Sequence, residues 1–141
     1  MNSQQAKNWL NRSFDLWRQH KALCKRREAQ TFANISQYED DFTSPAGNSS
    51  EEKMIAYAEL NAKIEEVEKK LFFEDNLTKS VIDQVEDPVL WALLRDRYID
   101  RRGWREIAKA YAYSEQHIYR IHGRALQEVA RYIPKEAFDE N

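Results

Sequence analysis

The stretch Trp104-Arg105-Glu106-Ile107-Ala108-Lys109-Ala110-Tyr111-Ala112-Tyr113-Ser114-Glu115-Gln116-His117-Ile118-Tyr119-Arg120-Ile121-His122-Gly123-Arg124-Ala125-Leu126 decides how the chain is read. Its apolar residues recur at helical spacing on both sides of Ala112-Tyr113, which predicts a short helix from Trp104 to about Tyr111, with Trp104, Ile107 and Ala108 inward. A second helix is opened by Ser114, a good capping residue, and runs to about Tyr132, where Pro134 limits it. On a wheel at about 100° per residue, Ile118, Ile121, His122, Ala125 and Val129 share one side, with Leu126 at its margin. Gln116, Arg120, Arg124, Gln127 and Arg131 take the opposite side, flanked by His117 and Tyr119, with no carboxylate near its centre. Arginine pairs with guanine and glutamine with adenine in the major groove, at about 1–3 kcal/mol of discrimination per good contact, so this side has the chemistry of a base-reading surface. The amino ends of the two helices, with Arg101, Arg102 and Arg105 beside the first, are placed to hold phosphates.

Working outward, Asp87-Pro88 predicts another helix start, with Asp87 as cap and Pro88 in the first turn, and the helix runs to about Tyr98. Leu90, Leu93, Leu94 and Ile99 would face inward, and Asp100-Arg101-Arg102-Gly103 makes a turn. Toward the N-terminus, Trp9, Leu16 and Leu23 repeat every seven residues beside Leu10, Trp17 and Cys24. One helix from Gln4 to about Phe32, facing a second helix, is expected. Residues 36–50, with Ser44-Pro45-Ala46-Gly47-Asn48-Ser49, read as a flexible loop. A long helix then starts after Ser49, whose hydroxyl and Glu52 form a capping box. From Tyr57 its seam of Tyr57, Leu60, Ile64, Val67, Leu71, Glu74, Thr78, Val81 and Val85 alternates steps of three and four, and is expected to open at the polar pair Glu74 and Thr78. The predicted architecture is all-α: an antiparallel, coiled-coil-like hairpin over 1–87, a helix-turn-helix over 88–133 and a tail over 134–141.

Composition agrees with helix throughout. Glycine and proline number three each in 141 residues, and the one cysteine, Cys24, excludes an internal disulfide. No apolar run approaches a membrane span or signal-peptide core, so the expected compartment is the cytoplasm, without membrane attachment. The net charge of −2 conceals an uneven distribution. Residues 1–33 carry seven basic against two acidic side chains, 51–87 five against eleven, and 88–133 nine against five. A basic segment in a mildly acidic chain is what a local polyanion-binding surface produces.

The run Trp104 to Ala108 followed by Ser114 to Leu126 resembles the promoter-recognising fourth region of bacterial sigma factors, over about a third of the chain. The whole layout resembles a family of small phage and prophage proteins of Gram-positive bacteria related to late-gene transcription activators. The shared features are a basic first helix, a Ser-rich gap, a long acidic helix, the Asp-Pro start and the His-Gly-Arg-Ala-Leu run at 122–126. The sigma resemblance implies that Glu115, Gln116, His117 and Arg120 face bases or adjacent phosphates, with Arg124 nearer the backbone. The chain departs from that pattern at Ala112, where glycine is common and a left-handed residue is expected, at a strain of about 1 kcal/mol. The sequence lacks the parts of a sigma factor that melt promoters. The resemblance therefore implies a transcription regulator that binds double-stranded DNA and assists host RNA polymerase. Apart from the resemblance, the hairpin is a candidate homodimer contact, and a two-fold arrangement through it would set paired recognition helices about one DNA turn apart and imply a palindromic site.

Catalysis is not expected, because no nucleophile–base constellation or glycine-rich phosphate loop occurs. His20, His117 and His122 lack the cysteine or carboxylate neighbours of a metal site, so neither metal nor cofactor is expected. His122 is expected at the core edge, bonded to backbone. Three readings compete with the regulator: a helical assembly module, a DNA-packaging protein resembling small terminase subunits, and an anti-sigma-like adaptor that contacts polymerase without DNA.

Overall fold

A computed structural model describes residues 2–40 and 49–137, without the side chains of 34–40, 49 and 137. Among these residues every regular element is helical: α1 (Ser3–Asn11), α2 (Phe14–Asp40), α3 (Ser49–Ile82), α4 (Pro88–Tyr98), α5 (Trp104–Tyr111), α6 (Glu115–Val129) and a 3-10 turn (Lys135–Ala137). Packing divides the chain into a hairpin unit, residues 14–72, and a C-terminal unit, residues 1–13 with 73–141. The expected loop over 36–50 is shorter than its composition suggested, since α2 continues to Asp40 and α3 begins at Ser49. Residues 41–48 and the Ser49 capping hydroxyl lie outside the described residues.

In the hairpin unit α2 and the first part of α3 run antiparallel, and side-chain contacts set the register. His20 Nε2 lies 2.9 Å from Glu68 Oε1, and Arg27 donates to Asn61 Oδ1 at 3.2 Å. Thr31 is hydrogen-bonded to Tyr57. Each advance along α2 is matched by an equal retreat along α3. Phe14, Ile64 and Val67 are buried, and Leu16, Leu23, Cys24, Leu60 and Leu71 are half-buried along the same seam.

The single N-terminal helix expected over 4–32 is two helices. The chain turns at Arg12-Ser13, and the residues before the turn belong to the C-terminal unit, where Ala6, Trp9 and Leu10 are buried and α1 packs on α6. Arg12 accounts for the break, because its guanidinium takes up the groups that a helix end leaves unpaired. It donates to Trp9 O at 2.9 Å, to Glu74 Oε2 at 2.6 Å and to Glu74 O at 3.1 Å, and lies 3.7 Å from the Trp9 ring centroid. Ser13 is fully buried beside it. The polar interruption of the α3 seam is thereby filled and does not open: Glu74 holds Arg12, and the buried Thr78 hydroxyl donates to Glu74 O at 2.9 Å. Val81 and Val85 continue the buried stripe. The boundary expected at residue 87 thus differs from the packing, which assigns 1–13 and 73–87 to the C-terminal unit.

At the start of α4, Asp87 accepts from the Val89 and Leu90 amides at 2.9 and 3.2 Å, with Pro88 in the first turn. Leu90, Leu93 and Leu94 are buried as expected, and so is Tyr98, while Ile99 is only half-buried. Among the described residues two non-glycine positions adopt left-handed backbone, Arg101 and Ala112, each at φ 57°. Arg101 follows α4 and Ala112 ends α5, where the Tyr113 amide closes the turn on Ala108 O at 2.9 Å.

Candidate nucleic-acid interface

The α6 helix is oriented by its inner side. Ile118, Ile121, His122, Ala125, Leu126 and Val129 are all buried, the set that the helical wheel places inward. The helix ends at Val129, shorter than expected, and Ile133 beyond it is buried. Ser114 caps it by accepting from the His117 amide at 3.1 Å. One polar cluster ties it to α4 and α5. Tyr98 Oη stands 2.7 Å from His122 Nε2, and the Trp104 ring centroid is 4.4 Å from that of His122. The Arg97 guanidinium covers Trp104 at 4.7 Å, and Tyr119 packs edge-on to the same indole at 5.7 Å. His122 is therefore bonded to a side chain, not to backbone. Burial, with the charges of Lys7 and Arg97, lowers its pKa to about 4, and burial raises the Tyr98 hydroxyl far above its usual range. Both groups are neutral near pH 7. The Tyr111 hydroxyl donates to Asp96 at 2.8 Å and is pushed up to about 12 by burial and by that carboxylate.

On the outer side Gln116, Arg120, Arg124 and Gln127 are exposed and make no hydrogen bond or ion pair among the described residues. The nearby carboxylates are engaged: Glu115 lies 3.6 Å from Arg105, and Glu128 3.2 Å from Arg131. His117 and Tyr119 are exposed at the flanks, and Ser114 is exposed at the amino end. This side thus presents two uncommitted guanidinium groups and two uncommitted amides on one rigid helix. Arg105, the partner of Glu115, keeps 94% of its side chain exposed, and Arg102 is 45% exposed with Asp96 at 3.9 Å.

Arg101, grouped with these cations from sequence, is placed elsewhere. Its side chain is 7% exposed and reaches inward, donating to Asp75 Oδ1 at 2.7 Å, Ser13 Oγ at 3.3 Å and Ile99 O at 3.0 Å. The left-handed backbone at 101 turns the side chain toward α3, so it serves the fold and not the outer face. Tyr113, not picked out from sequence, joins the amino end of α6. It is 43% exposed and meets the His117 ring edge-on at 4.5 Å. Its position immediately before the capping Ser114, where an apolar residue often staples the helix start, is the local signal for it.

Among the described residues no group of three His, Cys, Asp or Glu side chains is arranged to hold a metal, and no helix is long and apolar enough to cross a membrane. No family model, curated protein or solved structure matches the chain.

Proposed function

We propose that this chain binds double-stranded DNA as a transcription regulator, with α5 and α6 acting as a helix-turn-helix and α6 as the helix that enters the major groove. The observation that carries this reading is the outer side of α6, where Gln116, Arg120, Arg124 and Gln127 are exposed and uncommitted while the neighbouring carboxylates are paired. An exposed face with no partner of its own leaves its full hydrogen-bonding capacity for bases and phosphates. Arg102 and Arg105 join as backbone contacts, and Arg101 drops out of the set. The left-handed Ala112 supports the same reading, since the resemblance to the fourth region of sigma factors asks for that conformation at that place. Assistance to host RNA polymerase rests on resemblance alone, and a phage or prophage setting on the separate resemblance of the whole layout to small phage and prophage proteins.

A gel-shift series on random duplexes at several salt concentrations tests the proposal. Binding should fall steeply with salt, and Arg120→Ala and Arg124→Ala should each weaken it and flatten the slope by about 0.9 per lost phosphate contact. Binding and slope unchanged in both variants would remove α6 as the interface.

A further inference from the structure

We infer that a second copy of this chain covers the open groove between α2 and α3, so that two hairpin units associate as a four-helix bundle. The hairpin is short of enclosed core. Among its described residues only Phe14, Ile64 and Val67 are buried apolar side chains, in a segment spanning 14–72. Two helices bury one stripe each against the other, and a unit of this size needs a further layer to enclose its apolar residues. Leu23 and Leu60 stay half-buried because they floor a groove of about 660 Å³ on the flank of the pair. Ala29 and Ala56 line the same groove, and their small side chains leave room for another helix to approach closely.

The charges at its edges identify the occupant. Arg26 on α2 and Glu59 on α3 line the groove from opposite sides, both are exposed, and neither makes an ion pair among the described residues, whereas Lys63, the other cation on the groove, lies 3.9 Å from Glu66 of its own helix. A two-fold contact repeats every pairing, with residue i meeting j and j meeting i. Turning a second hairpin about a two-fold axis that runs along the groove, parallel to the helices, sets α2 of each copy on α3 of the other and brings Arg26 to the side of Glu59. The wider charge pattern fits the same match. Residues 14–33 carry five basic and two acidic side chains, and residues 50–72 carry six acidic and four basic. Each α2 then lies against an α3 of opposite charge, a self-complementary arrangement that an unrelated partner has no reason to match. This inference uses only the hairpin unit and stands apart from the reading of α6.

Sedimentation analysis of the full chain without DNA tests it, on the unaltered protein, Arg26→Glu, Glu59→Arg and the double exchange, with circular dichroism to check that helix content is kept. The unaltered chain should reach twice its 16.8 kDa mass. Each single reversal should weaken the dimer by about tenfold or more, since it places like charges together twice, and the double exchange should restore it to within a few-fold. A monomer at every concentration up to about 100 µM, or a larger assembly, would overturn the inference. So would a dimer indifferent to both single reversals, or a double exchange no tighter than the singles.

Discussion

Tyr98 on α4 and His122 on α6 share a hydrogen bond of 2.7 Å inside the C-terminal unit, and both side chains are buried. The pair fixes how α6 is rotated on its neighbours, and so which residues it turns outward. A buried imidazole of this kind links stability to acidity. Burial first, then Lys7 and Arg97, bring the His122 pKa to about 4, below its ordinary 6.5. The unfolded chain therefore takes up a proton as pH falls through 6.5, whereas the folded chain resists until about 4. Stability contributed by His122 is complete above pH 6.5 and drains away between 6.5 and about 4, by up to about 3 kcal/mol. Urea unfolding across that window should show the loss, and His122→Gln should flatten it. An unaltered slope in the variant would mean that His122 is not the group responsible.

Arg101 should behave as a structural residue. Its guanidinium serves Asp75, Ser13 and Ile99 O at once, a geometry that a lysine ammonium cannot copy. Arg101→Lys, which keeps the charge, is expected to cost about 1–3 kcal/mol of stability. It should leave the salt slope of duplex binding unchanged under conditions where the variant is folded. At a phosphate-binding residue Arg→Lys would keep both stability and slope, and only loss of the charge would flatten the slope, so Arg101→Gln should leave the slope of the folded protein unchanged as well.

Ala112 sits at φ 57° and ψ 38°, a conformation glycine adopts without the Cβ penalty. Ala112→Gly should therefore raise stability by about 0.5–1 kcal/mol, the relief of left-handed strain outweighing the added freedom of the unfolded chain. Chemical denaturation measures this directly, and a destabilised variant would mean that the turn bears no such strain.

Gly123 presents the reverse case. It lies within α6, and a Cβ built there meets nothing within 4 Å. Gly123→Ala should stabilise the free protein by about 0.5–1 kcal/mol through helix propensity alone. On the wheel Gly123 adjoins Gln116 and Gln127, so the same methyl group should reduce duplex affinity if α6 lies deep in a groove. A thermal melt and a gel shift on one variant separate the two effects.

What could be read in advance was local in origin. The caps Asp87 and Ser114 act on amides two or three residues ahead, and the inward set from Ile118 to Val129 follows from helical periodicity, which needs no knowledge of the partner surface. The outer face of α6, with Gln116, Arg120 and Arg124, was legible for the same reason.

What only the folded chain decided depends on groups far apart in sequence. Arg12 finds Glu74 at a separation of 62 residues, breaking a helix whose apolar spacing continues undisturbed through the break. Arg101 finds Asp75 at 26 residues and is drawn inward, although its neighbours Arg102 and Arg105 stay outside. Periodicity reports which side of a helix is apolar. It carries no information on which half-buried carboxylate will draw in a particular guanidinium, because the cost of taking a charge out of water is offset only by a partner that folding brings near.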